Sequence, residues 1–201
     1  MSDRPQPDDD TRVPLERLVT LSNAVFAVAI ILPVLGIGTP RLPADASRLD
    51  NLMALHQLTP GFIVFGVNFL VLSLFWLGQH RLLRRVRRYD SALVLPVILL
   101  LLMIAFMPWA TKFAVVNDNH FIAALSYNVS MLACAFHLLW LAWVCRQRQL
   151  TPDAPLELRR AIVTFAATLL CVALSFFTPQ FSQSGMALTL IGRRAPAKAK
   201  S

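Results

Sequence analysis

The stretch "ALVLPVILLLLMIAFMPWA", residues 92–110, runs 19 positions without a charged side chain. As a helix rising about 1.5 Å per residue it would span about 28 Å, close to the roughly 30 Å hydrocarbon core of a bilayer. A soluble domain of 201 residues, 56% of them hydrophobic, has no interior large enough to bury several such runs, and this chain has several. Apolar segments fall at about 17–37, from 59 to the basic run at 81, at 91–113, at 120–145 and at 157–177. A sixth, "FSQSGMALTLIG", is short. From 179 to 192 a helix spans roughly 21 Å, so it must start early or thin the bilayer to cross. The fold class expected is an all-α integral membrane protein with six transmembrane helices per subunit, the sixth short.

Charge placement sets the expected topology. The formal net charge is +8, which in a soluble protein would suggest nucleic acid. Here the basic residues flank apolar segments, so no nucleic-acid partner is expected. Arg81, Arg84, Arg85, Arg87 and Arg88 follow segment two, Arg146, Arg148, Arg159 and Arg160 separate segments four and five, and Arg193, Arg194, Lys198 and Lys200 follow segment six. The other connections hold few basic residues. The positive-inside rule places both termini in the cytoplasm, with six crossings. Residues 1–14, rich in Pro and Asp, read as a disordered cytoplasmic tail without the basic start of a signal peptide. Residues 15–192 form the transmembrane domain and 193–201 a basic cytoplasmic tail. Between segments one and two, "SRLDNLMALHQL" suits a short interfacial helix.

The residues do not suggest an enzyme. There is no G-x-S-x-G, no H-E-x-x-H, no Gly-rich phosphate loop and no carboxylate inside the helical segments. Cys134, Cys145 and Cys171 form no C-x-x-C pair, and His80 has no second ligand at metal-binding spacing, so no metal and no cofactor are expected. His137 reads as a bundle histidine, His56 and His120 as loop or interface residues. The potassium-filter sequence TVGYG is absent.

Segment one, "RLVTLSNAVFAVAIILPVLGI", carries a polar start and a Ser-Asn pair. At about 100° per residue, Leu21, Ala24, Val28, Leu32 and Leu35 share one stripe, and Ser22 and Asn23 point away from it. Periodicity allows two arrangements. The stripe faces lipid while the polar patch joins helices, or the stripe faces a pore and forms a hydrophobic constriction. Pro33 is expected to kink the helix. In segment two, Asn68, Trp76, Gln79 and His80 are polar or amphipathic, and Trp76 and His80, four apart, share a face.

"RLVTLSNAVFAVAIILPVL" resembles the first-helix signature of the transmembrane protein 175 family, R-x-x-x-F-S-D-G-V-F-A-I-A-I-T-L-L-V-L, without gaps from Arg17 to the Ser-Asn pair. "NFLVLSLFWLGQHRLLRRVRRYD", "LLLLMIAFMPWATKF" and "YNVSMLACAFHLLWLAW" are similar to its second, third and fourth helices, for a coverage of roughly 15–178. The resemblance implies a potassium-permeable cation channel, a homotetramer in a bacterial plasma membrane, with potassium ions and the lipid bilayer as partners. Its pore would be lined by the first helix, with bulky apolar residues as the constriction. By position these are Val28, Leu32 and Leu35. The motif residues that tie helices together would be Arg17, Leu21, Ser22 and Asn23, with Trp76 and His80 as second-helix partners. The chain departs from the signature at Leu21 for Phe, Asn23 for Asp, Ala24 for Gly and at Pro33. Asn23 keeps a hydrogen-bonding side chain but lacks the carboxylate charge. These departures leave a non-conducting scaffold of the same fold as an alternative. A small-solute or proton transporter is disfavoured by the lack of ionisable groups at depth.

Overall fold

In a bilayer no water satisfies the backbone, so apolar spans close their own hydrogen bonds as helices. The computed structural model describes residues 9–117 and 120–176. Among them the regular structure is wholly helical, in the order α1 (Asp9–Ile31), α2 (Arg48–Gln57), α3 (Thr59–Arg84), α4 (Val94–Val116), α5 (Phe121–Gln147) and α6 (Ala154–Ser175). Among the described residues, five helical stretches, one of them α2 running on into α3, are long and apolar enough to cross a membrane. The short sixth span expected at 179–192 and the basic tail at 193–201 lie outside the described residues.

Helix α1 is already formed at Asp9, inside the stretch read from the sequence as a tail. Its far end differs from a simple kink. At Leu32 the α-helix gives way to a 3-10 stretch, Leu32–Gly36, with Pro33 in its first turn. The cause is local: Pro33 has no N–H for the Ala29 carbonyl, so the i→i−4 ladder stops and the chain winds tighter.

Helix α2 is set by a capping box. The Asp50 backbone N–H donates to Ser47 Oγ (3.2 Å), and the Ser47 backbone N–H donates to Asp50 Oδ2 (3.0 Å). None of its residues is buried, and Leu49, Leu52, Met53 and Leu55 are exposed, as suits a helix lying at an interface. Only Leu58 separates it from α3, where Pro60 occupies the first turn.

The bundle is organised around α5, which packs along α4 and α6, while α1 lies against α3 and α4. Leu72, Leu82, Leu83, Val97, Leu100, Ile104, Met107 and Leu141 are fully buried in the shared core. Gly78 permits the α3–α5 approach, since a Cβ there would meet Leu138 Cδ2 at 3.1 Å. Cys134, Cys145 and Cys171 are free and buried, packed as small apolar side chains. Two residues past the end of α5, Gln149 turns the chain at φ 51°, with the Leu150 N–H donating to the Cys145 carbonyl (2.9 Å) and the Leu150 side chain buried. This is a left-handed C-cap filled by a residue other than glycine. It holds the α5–α6 loop against the end of α3, where the Arg87 N–H donates to the Leu150 carbonyl (2.9 Å).

Candidate pore helix and its anchoring network

Helix α1 has two faces of opposite fate. Leu18, Ser22, Phe26 and Ala29 recur at helical spacing and are 8%, 3%, 1% and 2% exposed. They form the strip that meets α3 and α4. Round the helix, Leu21, Val28, Leu32 and Leu35 are 46%, 58%, 42% and 78% exposed. Val28 precedes Leu32 by one α-helical turn, and residues three apart eclipse in a 3-10 stretch, so Leu32 and Leu35 continue the same line. The 3-10 winding therefore keeps the stripe straight where an α-helix would have rotated it. Leu32 and Leu35 also border a cleft of about 360 Å³ shared with Phe65, Trp109, Thr111 and Lys112.

The polar residues next to the stripe bond across to α3. The Gln79 amide Nε2 donates to Ser22 Oγ (3.1 Å), and the Ser22 hydroxyl donates to the Leu18 carbonyl (2.8 Å), with both side chains buried. One residue on, the Trp76 indole N–H donates to Asn23 Oδ1 (2.9 Å). The His80 ring stacks on Trp76, centroids 5.0 Å apart and planes 22° from parallel. Its Nδ1 is buried without a hydrogen-bond partner among the described residues. Ser22, Asn23, Trp76 and His80 thus lie together. Arg17 and Leu21 do not join them: both are exposed, and Arg17 makes no ion pair among the described residues.

Gln79, noted in the sequence only as a polar residue of segment two, and Glu157 were not assigned to these contacts from the sequence. Gln79 is the direct partner of Ser22, and its place three residues after Trp76, on the same face, was the available signal. Glu157 corrects the expectation that the helices hold no carboxylate. It lies in the first turn of α6 with its side chain 4% exposed, 2.6 Å from Arg160 and 3.6 Å from Arg85. Arg85 also reaches Asp153 at 2.9 Å, so this cluster ties the end of α3 to the start of α6. Deeper in the bundle, Thr111 Oγ1 sits 3.1 Å from Asn68 Oδ1, a neutral pair between α4 and α3.

Comparison with known proteins bears on this arrangement. The crystal structure of a lysosomal potassium-selective channel TMEM175 homolog from Chamaesiphon minutus superimposes with a TM-score of 0.77 at 25% identity, over 92% of this chain and 100% of that one. The family model described as "Endosomal/lysosomal potassium channel TMEM175" matches residues 17–108. Over that stretch the chain resembles the TMEM175 family. The matched TMEM175 segment starts at Arg17 and ends at Pro108, so it takes in the α1 stripe and its α3 partners. A potassium channel of Streptomyces collinus is 31% identical over 130 residues, covering 62% of this chain and 62% of that one. One of Chamaesiphon minutus is 30% identical over 129 residues, covering 62% and 63%. The zebrafish endosomal/lysosomal proton channel TMEM175 is 22% identical over 111 residues, covering 55% of this chain and 21% of that one. The chain thus spans less than two thirds of the length of the bacterial potassium channels it matches.

Proposed function

We propose that this chain is the subunit of a potassium-permeable channel of the TMEM175 type, four copies of which surround a pore lined by α1. The observation that carries this is the exposed line of Val28, Leu32 and Leu35 on a helix whose opposite strip is fully packed. Uncharged and unneeded by the protomer core, such a line fits a constriction that gates by dewetting. The bacterial relatives named as potassium channels support the choice of ion. The stripe carries no titratable group, which argues against a side-chain proton relay.

In this reading the six crossings leave both termini in the cytoplasm of a bacterium, with residues 15–192 as the channel domain between the tails 1–14 and 193–201. Arg17, Leu21, Ser22, Asn23, Trp76 and His80 hold the pore helix in place without touching the ions. Gln79 joins them. Arg17 and Leu21, exposed on the protomer, would act at contacts between subunits.

The test is potassium flux into liposomes holding the purified protein, beside its mass in detergent under native conditions. Flux from a tetramer is expected, with a higher rate for Leu32→Ala. A silent tetramer that stays silent with both Leu32→Ala and Asn23→Asp would point to the scaffold alternative. A monomer would remove the four-fold pore.

A further inference from the structure

A groove of about 470 Å³ opens at the arginine-rich end of the bundle, between the start of α4 and the last turns of α5. Its walls are Leu95, Trp140, Trp143 and Val144, and its rim carries Gln147 and Arg148. Along α5 the lining runs from Trp140 and Trp143 through Val144 to Gln147 and Arg148, so it passes from apolar to cationic towards the end of the helix. Trp143 is half-exposed, and Arg148 is exposed at 62% of its side chain. Arg148 has one weak partner, Asp90 at 3.8 Å, whose other carboxylate oxygen is held by the Ala92 N–H (2.9 Å). The remaining guanidinium donors have no partner among the described residues.

We infer that this groove is a binding site for one anionic phospholipid, its acyl chain along Leu95 and Val144 and its headgroup on Arg148 and Gln147. Three features select that occupant. The lower walls belong to helical stretches apolar enough to sit in hydrocarbon, where a soluble anion would find no donors. The tryptophans lie within about two helical turns of Arg148 on α5, close to the level at which indoles meet headgroups. The two connections at this end and the helix turns that flank them carry nine arginines, from Arg81 to Arg88 and from Arg146 to Arg160, against Asp90, Asp153 and Glu157. A second copy docked here would set arginine against arginine, whereas an anionic headgroup relieves that repulsion.

The site is testable by tryptophan quenching in phosphatidylcholine vesicles doped with either phosphatidylglycerol or phosphatidylcholine brominated on the acyl chains. Quenching by the anionic lipid should reach half-maximum at about fivefold lower mole fraction than by the zwitterionic one, the weight of about one basic side chain at a membrane surface. Replacing both groove indoles, Trp140→Phe with Trp143→Phe, should remove the saturable part of the quenching. Arg148→Gln should bring the two curves together, Arg148→Lys should keep them apart, and Arg159→Gln, which changes an exposed arginine outside the groove, should leave them as in the parent. Coincident curves for the parent protein overturn the site. So does an Arg159→Gln effect equal to that of Arg148→Gln, which would mean diffuse surface charge, or groove indoles that neither lipid quenches, which would mean another copy covers the groove.

Discussion

Both faces of α1 carry large apolar side chains, yet their fates in the structure are opposite. Phe26 and Ala29 are packed to 1% and 2% exposure, while Val28, between them in the chain, is 58% exposed. In water the hydrophobic effect would work to cover both. In a bilayer, lipid tails are as apolar as leucine, so burial is decided by fit and by polar bonds. Ser22 and Asn23 supply the bonds, to Gln79 and Trp76, and Phe26 supplies the fit. The face without such partners stays free. Stability and conduction should therefore divide between the faces, and substitutions on each can break that division.

The largest effect on stability should come from the packed face. Phe26→Ala leaves a cavity in a protein interior, typically about 3–5 kcal/mol in soluble proteins. The transfer part shrinks when the unfolded side chain still lies among lipid, so about 2–3 kcal/mol is expected. Denaturant unfolding in mixed micelles measures it. A loss under about 0.5 kcal/mol, the usual scatter of surface substitutions, would mean that α1 is not held by this face.

Next is the polar bridge. Ser22→Ala strands the buried Gln79 amide, at a cost of about 1 kcal/mol. Replacing both partners should recover most of it, because two apolar groups need no bond. The double variant Ser22→Ala with Gln79→Leu is thus expected to be more stable than Ser22→Ala alone. If the double variant is the worse of the two, the bridge is not what Gln79 contributes. Asn23→Asp should act more weakly. It offers the Trp76 N–H a charged acceptor, a stronger bond by about 0.5–1 kcal/mol, offset by the desolvation of a carboxylate at depth. A net gain of about 0.5 kcal/mol is expected, together with a higher flux, and a loss above 1 kcal/mol would show that the network suits only a neutral group.

The limits of sequence legibility follow the same physics. Helices α1, α3, α4, α5 and α6 were readable because each is a long apolar run, and α2 because Ser47 and Asp50 stand at capping-box spacing. The two faces of α1 were separable by period, but their surroundings were not. Leucines facing protein, lipid or water-filled space look alike in a sequence. Trp76 and His80, four apart, could be placed on one face; the bond from Trp76 to Asn23 needed the relative rotation of two helices. Glu157 was hidden because "TPDAPLELRR" reads as a polar connection. Its partners are Arg160, three residues on, and Arg85, at the distant end of α3. The 3-10 turn at Leu32 was signalled by Pro33, yet a missing N–H foretells a fault in the helix and not its shape.

The smallest expected change in stability is also the most informative. Leu32→Ala removes an exposed side chain from the free face, so protomer unfolding should shift by no more than about 0.5 kcal/mol. Its consequence depends on what the stripe faces. In a pore, trimming Leu32 widens the dry constriction, and potassium flux should rise while discrimination against sodium falls. Against lipid, neither stability nor flux should move. Packed against a neighbouring subunit, the variant should lose assembly stability, by about 2 kcal/mol or more per buried leucine, and flux should fall with it. The three surroundings that share one sequence pattern thus give three different pairs of numbers. Measuring flux and unfolding on the same preparation of Leu32→Ala distinguishes them, and only a rise in flux at unchanged stability keeps α1 as the pore helix.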